Sequence, residues 1–170
     1  MRVFIVSAES VPFAKVGGLA DVVGSLPIAL RQEGIDARIL MPGYGFIEHY
    51  KHNVSLLFSF PFSHHQGVTD VSVYSCVYEG VPVYFVQGWP YFGQDASVYT
   101  DWAWDVPRFI FFNQLAMGVA WELRERLGWF PDVFHVNDWH TGLLPFLLAE
   151  NRWRQEWSEV ASVMTIHNIA

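Results

Sequence analysis

The 170-residue sequence contains a single cysteine, Cys76, which excludes a disulfide within the chain and a metal site built from several thiolates. We expect this residue at a buried strand position. No uninterrupted apolar run reaches the roughly 18 residues of a membrane span. Polar Ser7 and Glu9 also interrupt the first apolar stretch too early for the core of a signal peptide. These absences predict a soluble protein of a reducing cytoplasm.

Positive charge is scarce as well. Ten Lys and Arg residues stand against 17 Asp and Glu, for a formal net charge of -7. This balance argues against a surface that binds nucleic acid or anionic membranes. What is abundant is apolar: 52% of residues are hydrophobic and 17% aromatic, including eight tryptophans. That composition excludes a disordered chain and indicates one domain with a substantial core.

The start of the chain predicts a strand, a ligand-binding loop and a helix. An apolar strand over Arg2–Ala8 is followed by Lys15, Gly17 and Gly18, and then by apolar residues at helical spacing. Glycines let backbone N–H groups approach an anion at the positive end of a helix, and the lysine adds a compact cation. On the motif alone, a tight turn with a solvated lysine is the alternative. The loop matches neither the dinucleotide glycine pattern nor the phosphate loop whose lysine follows its glycines.

The remaining apolar runs predict an α/β protein with a Rossmann-like, doubly wound parallel sheet and an antiparallel β-hairpin extension. Parallel strands are expected where short runs alternate with helices, and antiparallel ones where no helix separates the runs. A turn at Glu79-Gly80 would join the last two antiparallel strands. The expected later strands are Ala37–Met41, Leu56–Phe58, Val71–Tyr74, Val81–Val86, Asp132–Val136 and Ser162–Ile166.

Three helices are predicted. The first follows the glycine pair and is closed by Gly34, with a kink or restart near Ser25 because Pro27 removes a backbone donor. The second, Pro107–Leu127, has proline in its first turn and is closed by Gly128, and the third covers His140–Glu150. The loop before the second helix, residues 87–106, is long enough to suggest a functional role. Its aromatic residues are predicted either to pack in the core or a domain interface or to stack on sugar rings; they are Trp89, Tyr91, Phe92, Tyr99, Trp102 and Trp104.

Polar residues follow three strands at what should be one edge of the sheet: Lys15, Asp138 and His167. Open α/β sheets bind ligands at this edge. The alternative role for Asp138 is that of a helix N-cap, whose carboxylate accepts a backbone N–H two or three residues later. A metal site formed by His135, Asp138 and His140 is a weaker alternative, because strand-to-helix geometry does not force the three side chains to converge.

Three segments, in order, closely resemble motifs of bacterial glycogen synthases and plant starch synthases: Lys15–Val22, Pro131–His140 and Thr165–Asn168. The resemblance covers the whole chain, residues 1–170, but only the N-terminal, acceptor-side Rossmann domain of a two-domain glycosyltransferase. It implies glucose transfer with retention from ADP-glucose to the non-reducing 4-hydroxyl of an α-1,4-glucan such as glycogen or starch. It implies no metal and no cofactor.

By position, the resemblance places Lys15, Gly17 and Gly18 at the donor's pyrophosphate. It places His167 against the transferred glucose, with the His167 backbone oxygen facing the developing oxocarbenium charge, and Asp138 beside the donor sugar and acceptor. Cations and amides suit the charge of the leaving group, and a carbonyl or carboxylate suits the positive sugar.

Tyr99 would lie in the acceptor cleft, but the sequence that follows departs from the family. Asp-Asn and then Arg-Phe are usual there, whereas here extra residues separate Tyr99 from Arg108-Phe109, which leaves the roles of Asp101 and Asp105 open. Asn137 stands where a histidine is common.

The resemblance also implies a partner that this chain does not contain, a C-terminal domain with the nucleotide pocket, an arginine-lysine pair and a catalytic glutamate. We therefore expect no useful glucose transfer by these residues alone, and no indication here of ADP- over UDP-glucose preference. The alternatives are a non-catalytic glucan-binding or regulatory module of the same fold and a Rossmann oxidoreductase, which the missing glycine pattern disfavours.

Overall fold

A computed structural model describes residues 1–65 and 67–168 of the protein. One seven-stranded sheet with the order β3-β4-β5-β2-β1-β6-β7 organises this part of the chain. The strands are β1 (Arg2–Val6), β2 (Asp36–Pro42), β3 (Ser55–His64), β4 (Gly67–Tyr78), β5 (Val81–Gly88), β6 (Val133–Asn137) and β7 (Ala161–Thr165). The helices are α1 (Gly18–Gln32), α2 (Trp102–Leu127), α3 (Leu144–Glu150) and α4 (Gln155–Ser158).

Five neighbouring strands, from β5 through β2, β1 and β6 to β7, pair in parallel, while β3 and β4 pair antiparallel at one side. The predicted Rossmann-like sheet with an antiparallel extension is thus confirmed. Phe4, Ile5 and Val6 of the central strand are fully buried, as expected for a parallel strand covered on both faces. The Glu79-Gly80 turn is also confirmed, and both residues have the positive φ of a tight hairpin.

The antiparallel strands are longer than predicted, ten residues for β3 and twelve for β4. In β3, Phe58 and Phe60 are buried while their neighbours Ser59 and Pro61 are exposed. This alternation has the two-residue period that is expected of a strand with one face packed on the core. Cys76 of β4 is buried as predicted, and burial raises the pKa of its thiol to about 11.

Helix α1 runs without a break through Pro27, so the predicted restart near Ser25 is wrong. Pro27 itself is buried in the face of α1 that packs on the sheet. The Ser25 hydroxyl donates back to the Asp21 carbonyl of the preceding turn at 2.8 Å. Gly34, at φ 78°, closes the helix as predicted.

Helix α2 begins at Trp102, five residues before the predicted Pro107, and it ends as predicted at Gly128, whose φ is 64°. Its N-cap is Asp101, whose carboxylate accepts the Trp104 N–H at 3.1 Å. The third helix was also placed wrongly. His140 lies in a short 3-10 turn, Trp139–Thr141, and α3 starts only at Leu144.

Within the described residues, no helix is both long enough and apolar enough to cross a membrane.

Candidate functional site

The loops after β1, β6 and β7 surround an open cavity of about 650 Å³. These strands are neighbours in the parallel sheet, so their carboxyl ends meet at one edge. A second cavity, of about 510 Å³, lies between β3, α2 and the segment from α3 to α4, and no predicted site residue lines it. The residues lining the first cavity include Glu9, Gly17, Gly18, Tyr99, Asp138, Trp139, His140 and His167.

Asp138 lies at the end of β6 and is only 7% exposed. Its Oδ1 atom accepts the His167 N–H at 2.6 Å and the Asn168 N–H at 3.4 Å, so the carboxylate ties the end of β6 to the end of β7. No side chain caps the following 3-10 turn, so the N-cap role predicted for Asp138 is wrong. No described residue donates to the other oxygen, Oδ2, so this oxygen can accept a further hydrogen bond. The φ of 56° is unusual for a residue with a side chain, and such strain is concentrated at functional sites.

His167 is held by its ring as well as by its backbone. Its Nε2 atom lies 2.9 Å from Oδ1 of Asn137. The amide nitrogen of Asn137 donates to the carbonyl oxygens of Val6 and His135, at 3.2 and 3.3 Å, which leaves its amide oxygen as the acceptor. Nε2 of His167 is therefore the donor, and Asn137 fixes both the tautomer and the orientation of the imidazole.

Glu9 is a central residue of this cavity that the sequence analysis missed. It is 3% exposed. Its Oε2 accepts the N–H groups of Val16 and Gly17, at 2.6 and 3.0 Å, and its Oε1 accepts the Tyr99 hydroxyl at 2.5 Å. Its position in the sequence could have identified it, since Glu9 is an acidic residue after the parallel strand β1, just as Asp138 is after β6. The Gly17 N–H is thereby engaged within the protein, and the donors left for an external anion belong to the start of α1, from Gly18 onward, where no side chain caps the helix.

Tyr99 and His140 form a stacked pair, with ring centroids 4.9 Å apart and an interplanar angle of 19°. Burial lowers the pKa of His140 to about 4. Burial, together with the hydrogen bond to Glu9, raises the pKa of Tyr99 well above its ordinary value. Both rings are therefore uncharged near pH 7. Asn113 of α2 fixes the position of His140 by donating to its carbonyl oxygen at 2.7 Å.

A buried ion cluster holds the segment that carries Tyr99. The guanidinium of Arg108 is fully buried, 2.8 Å from an oxygen of Asp95 and 2.9 Å from one of Asp105. Asp105 also accepts the Thr100 N–H at 3.0 Å. The extra residues before Arg108 thus form the first turn of α2. Asp105 therefore has a structural role, because it holds Arg108 and Thr100 next to Tyr99, and Asp101 has another as the N-cap of α2.

Lys15 lies apart from the other predicted residues. Its ammonium contacts both carboxylate oxygens of Asp21, at 2.6 and 2.8 Å, and its side chain is 52% exposed. Lys15 is not among the residues that line the cavity, although Val16, Gly17 and Gly18 are. The structure therefore brings Gly17, Gly18, Tyr99, Asp138 and His167 around one cavity and leaves the lysine side chain outside it.

The alternative metal site finds no support in the described parts of the chain, where no group of three His, Cys, Asp or Glu side chains could hold a metal ion. His135 instead contacts the Thr165 hydroxyl through Nε2 at 2.7 Å. Burial and the neighbouring His167 lower the pKa of His135.

Three kinds of comparison with known proteins agree. A family model described as the starch synthase catalytic domain matches residues 2–170. Glycogen synthases of Streptococcus agalactiae serotype Ia and Exiguobacterium sibiricum are 39% and 38% identical to the chain, in each case over 99% of the chain and 35% of the relative. The catalytic domain of starch synthase IV from Arabidopsis thaliana, solved with ADP and acarbose bound, superimposes with a TM-score of 0.84 at 27% identity, over 98% of this chain and 34% of that one. The chain thus spans about a third of the length of these relatives.

Proposed function

The chain belongs to the starch synthase catalytic domain family, and on this basis we propose that it forms the acceptor-side part of a glucan synthase. The proposed reaction transfers glucose, with retention, from ADP-glucose to the non-reducing 4-hydroxyl of an α-1,4-glucan. Two findings support the reaction: the matched bacterial relatives are glycogen synthases, and the matched plant domain was solved with ADP and acarbose.

The observation that carries this proposal is the Asp138–His167 pair at the cavity. Glycosyl transfer develops positive charge on the departing sugar, and fixed carboxylate or carbonyl oxygens stabilise that charge without reorganising. Asp138 is held by the His167 N–H at 2.6 Å, so its orientation is set before a ligand arrives. We assign Asp138 and His167 to the contact with the transferred glucose, through the free carboxylate oxygen and the His167 backbone oxygen.

The donor's diphosphate would lie at the start of α1. A Cβ atom built on Gly17 or Gly18 meets nothing within 4 Å, so there is open space over this turn for phosphate oxygens. The N–H groups at the N-terminus of α1 supply donors and the positive end of the helix dipole. Lys15 can join them by leaving Asp21, because an exposed ion pair contributes only about 0–1 kcal/mol.

The acceptor glucan would contact Tyr99. A glucan is a neutral polyol with apolar C–H faces, and the uncharged ring of Tyr99, supported from behind by buried His140, offers it a flat apolar partner. Glu9 and the Arg108 cluster fix Tyr99 from two sides, so little ordering is required when the sugar binds.

The proposed activity requires the nucleotide-binding part of the enzyme, and we expect no useful transfer by residues 1–170 alone. The direct test is a chimera in which these residues replace the matching third of the Streptococcus agalactiae glycogen synthase. Incorporation of glucose from labelled ADP-glucose into glycogen should be restored, and a parallel assay with UDP-glucose reports the donor preference.

The key variant of the chimera is Asp138→Asn, which we expect to lower kcat by about 100-fold or more, the range seen when a fixed group that stabilises transition-state charge is removed. The matched control is Asp132→Asn at the opposite end of β6, where the carboxylate accepts only the Arg2 N–H among the described residues. Asp138→Asn with full activity would contradict the assignment. A folded chimera that binds glycogen but transfers nothing would favour the non-catalytic glucan-binding module.

A further inference from the structure

A row of four aromatic rings leads from the cavity to the protein surface. The ring centroids of Tyr99 and His140 are 4.9 Å apart, those of His140 and Trp139 are 4.3 Å apart, and those of Trp139 and Trp102 are 5.0 Å apart. From His140 outward, exposure rises from 5% through 44% at Trp139 to 69% at Trp102. The row is thus anchored in the cavity and opens to solvent at Trp102.

The exposed end of the row is rigidly supported. Trp102 lies in the first turn of α2, where the Asp101 carboxylate caps the helix. Trp139 packs edge-on against Phe109 of the same helix, with centroids 5.4 Å apart. Its 3-10 turn is tied to the end of β6 by the Thr141 hydroxyl, which accepts the Asn137 N–H at 2.6 Å. A ligand that binds to Trp102 and Trp139 therefore meets a preformed surface, and its binding orders few side chains of the protein.

Core packing does not explain Trp102, which is mostly exposed, and it explains only the inner part of Trp139. A large aromatic ring left in water beside a binding cavity suits a ligand that offers apolar C–H surface and keeps its hydroxyl groups hydrated. Successive sugar rings of a glucan chain have this character. The continuity of the row with the Tyr99–His140 stack further favours one ligand that extends out of the cavity over a separate partner.

We propose that Trp102, together with Trp139 at the edge of the cavity, forms an additional subsite that holds an α-glucan chain where it leaves the cavity, beyond the sugar at Asp138. This inference rests on the proposed function and adds Trp102 as a residue that selects longer acceptors. A longer oligosaccharide covers more of the row than a short one, because only a chain that continues out of the cavity stacks on Trp102. Trp102 lies in the first turn of α2, among the extra residues between Tyr99 and Arg108.

The test is isothermal titration calorimetry of the 170-residue chain with maltotriose and with maltoheptaose. Trp102→Ala should weaken maltoheptaose binding by about fivefold or more, as expected when a contact aromatic is truncated, and should weaken maltotriose binding less. Trp102→Phe keeps a ring and should retain most of the affinity. Trp153→Ala removes a tryptophan that is 79% exposed and lines neither cavity, and serves as the matched control.

The outcomes separate this inference from the function on which it rests. If the wild-type chain binds maltoheptaose and Trp102→Ala binds it equally well, the subsite is refuted while the acceptor cavity stands. Equal losses for both oligosaccharides would also refute a subsite that is specific for longer chains. If the wild-type chain binds neither oligosaccharide, the acceptor role of the cavity fails, and the subsite fails with it.

Discussion

The hydrogen bond between Tyr99 and Glu9 gives the sharpest test of how the cavity is built. Tyr99→Phe removes only the hydroxyl that donates to the Glu9 carboxylate at 2.5 Å. Glu9 is 3% exposed, so bulk water cannot readily replace the lost donor. Hydrogen bonds to charged groups contribute about 1.5–3 kcal/mol, and we expect the free energy of unfolding to fall by about that amount.

Glu9→Gln should lower the free energy of unfolding by less than Tyr99→Phe does. The amide oxygen can still accept the N–H groups of Val16 and Gly17, and the amide nitrogen can donate to the tyrosine oxygen. Combining both changes leaves that amide nitrogen facing a phenyl ring. The double variant should therefore lose more stability than the two single losses added together.

Urea unfolding at pH 7, monitored by circular dichroism, measures these free energies. Tyr50→Phe is the matched control, because Tyr50 is 98% exposed and should change stability by less than about 0.5 kcal/mol. A Tyr99→Phe loss no larger than that of Tyr50→Phe would show that Glu9 does not depend on the tyrosine and would refute the reasoning.

Three further predictions concern the same region. Burial holds the pKa of His140 at about 4, against an ordinary value of 6.5. The free energy of unfolding should therefore be fully present above pH 6.5 and fall by roughly 3 kcal/mol as the pH drops towards 4. His140→Phe should flatten this pH dependence in urea titrations, and an unchanged slope would contradict the prediction. Arg108→Met leaves two buried carboxylates unpaired and should cost about 3–5 kcal/mol, measured in the same way, whereas a near-neutral effect would contradict the ion cluster. Gly24→Ala places a Cβ atom 2.3 Å from a methyl group of Val11 and should lower the free energy of unfolding by about 1–3 kcal/mol. The Cβ atom of Gly17→Ala meets nothing, so this variant should keep the melting temperature and weaken donor binding in the chimera. Equal stability losses in the two variants would contradict this contrast.

The sheet could be predicted because its signals are local. Val3–Val6 reads as a buried parallel strand from four adjacent residues, and the Glu79-Gly80 turn and the glycines that close α1 and α2 are read from backbone preferences. The edge on which the site residues meet follows from the topology alone, because parallel strands bring their carboxyl ends together.

The errors concern side chains whose partners are distant in the sequence. Asp138 resembles an N-cap locally, yet its carboxylate binds the backbone of His167, 29 residues later. Glu9 and Tyr99 are 90 residues apart and become partners only in the folded chain. The spacing of apolar residues along the sequence does not indicate hydrogen bonds between residues so far apart. The early start of α2 has a different cause, since the Asp101 cap begins the helix five residues before Pro107.

The central claim is that the cavity around Asp138 and His167 binds an α-linked oligosaccharide. The most direct measurement is a crystal structure of the 170-residue chain soaked with acarbose, collected beside a crystal of the Asp138→Asn variant. We predict electron density for sugar rings in this cavity, with a hydroxyl within hydrogen-bonding distance of the Asp138 carboxylate, and weaker density in the variant. Acarbose found only in the cavity between β3, α2 and α4, or equally well ordered in both crystals with no contact to residue 138, would contradict the account.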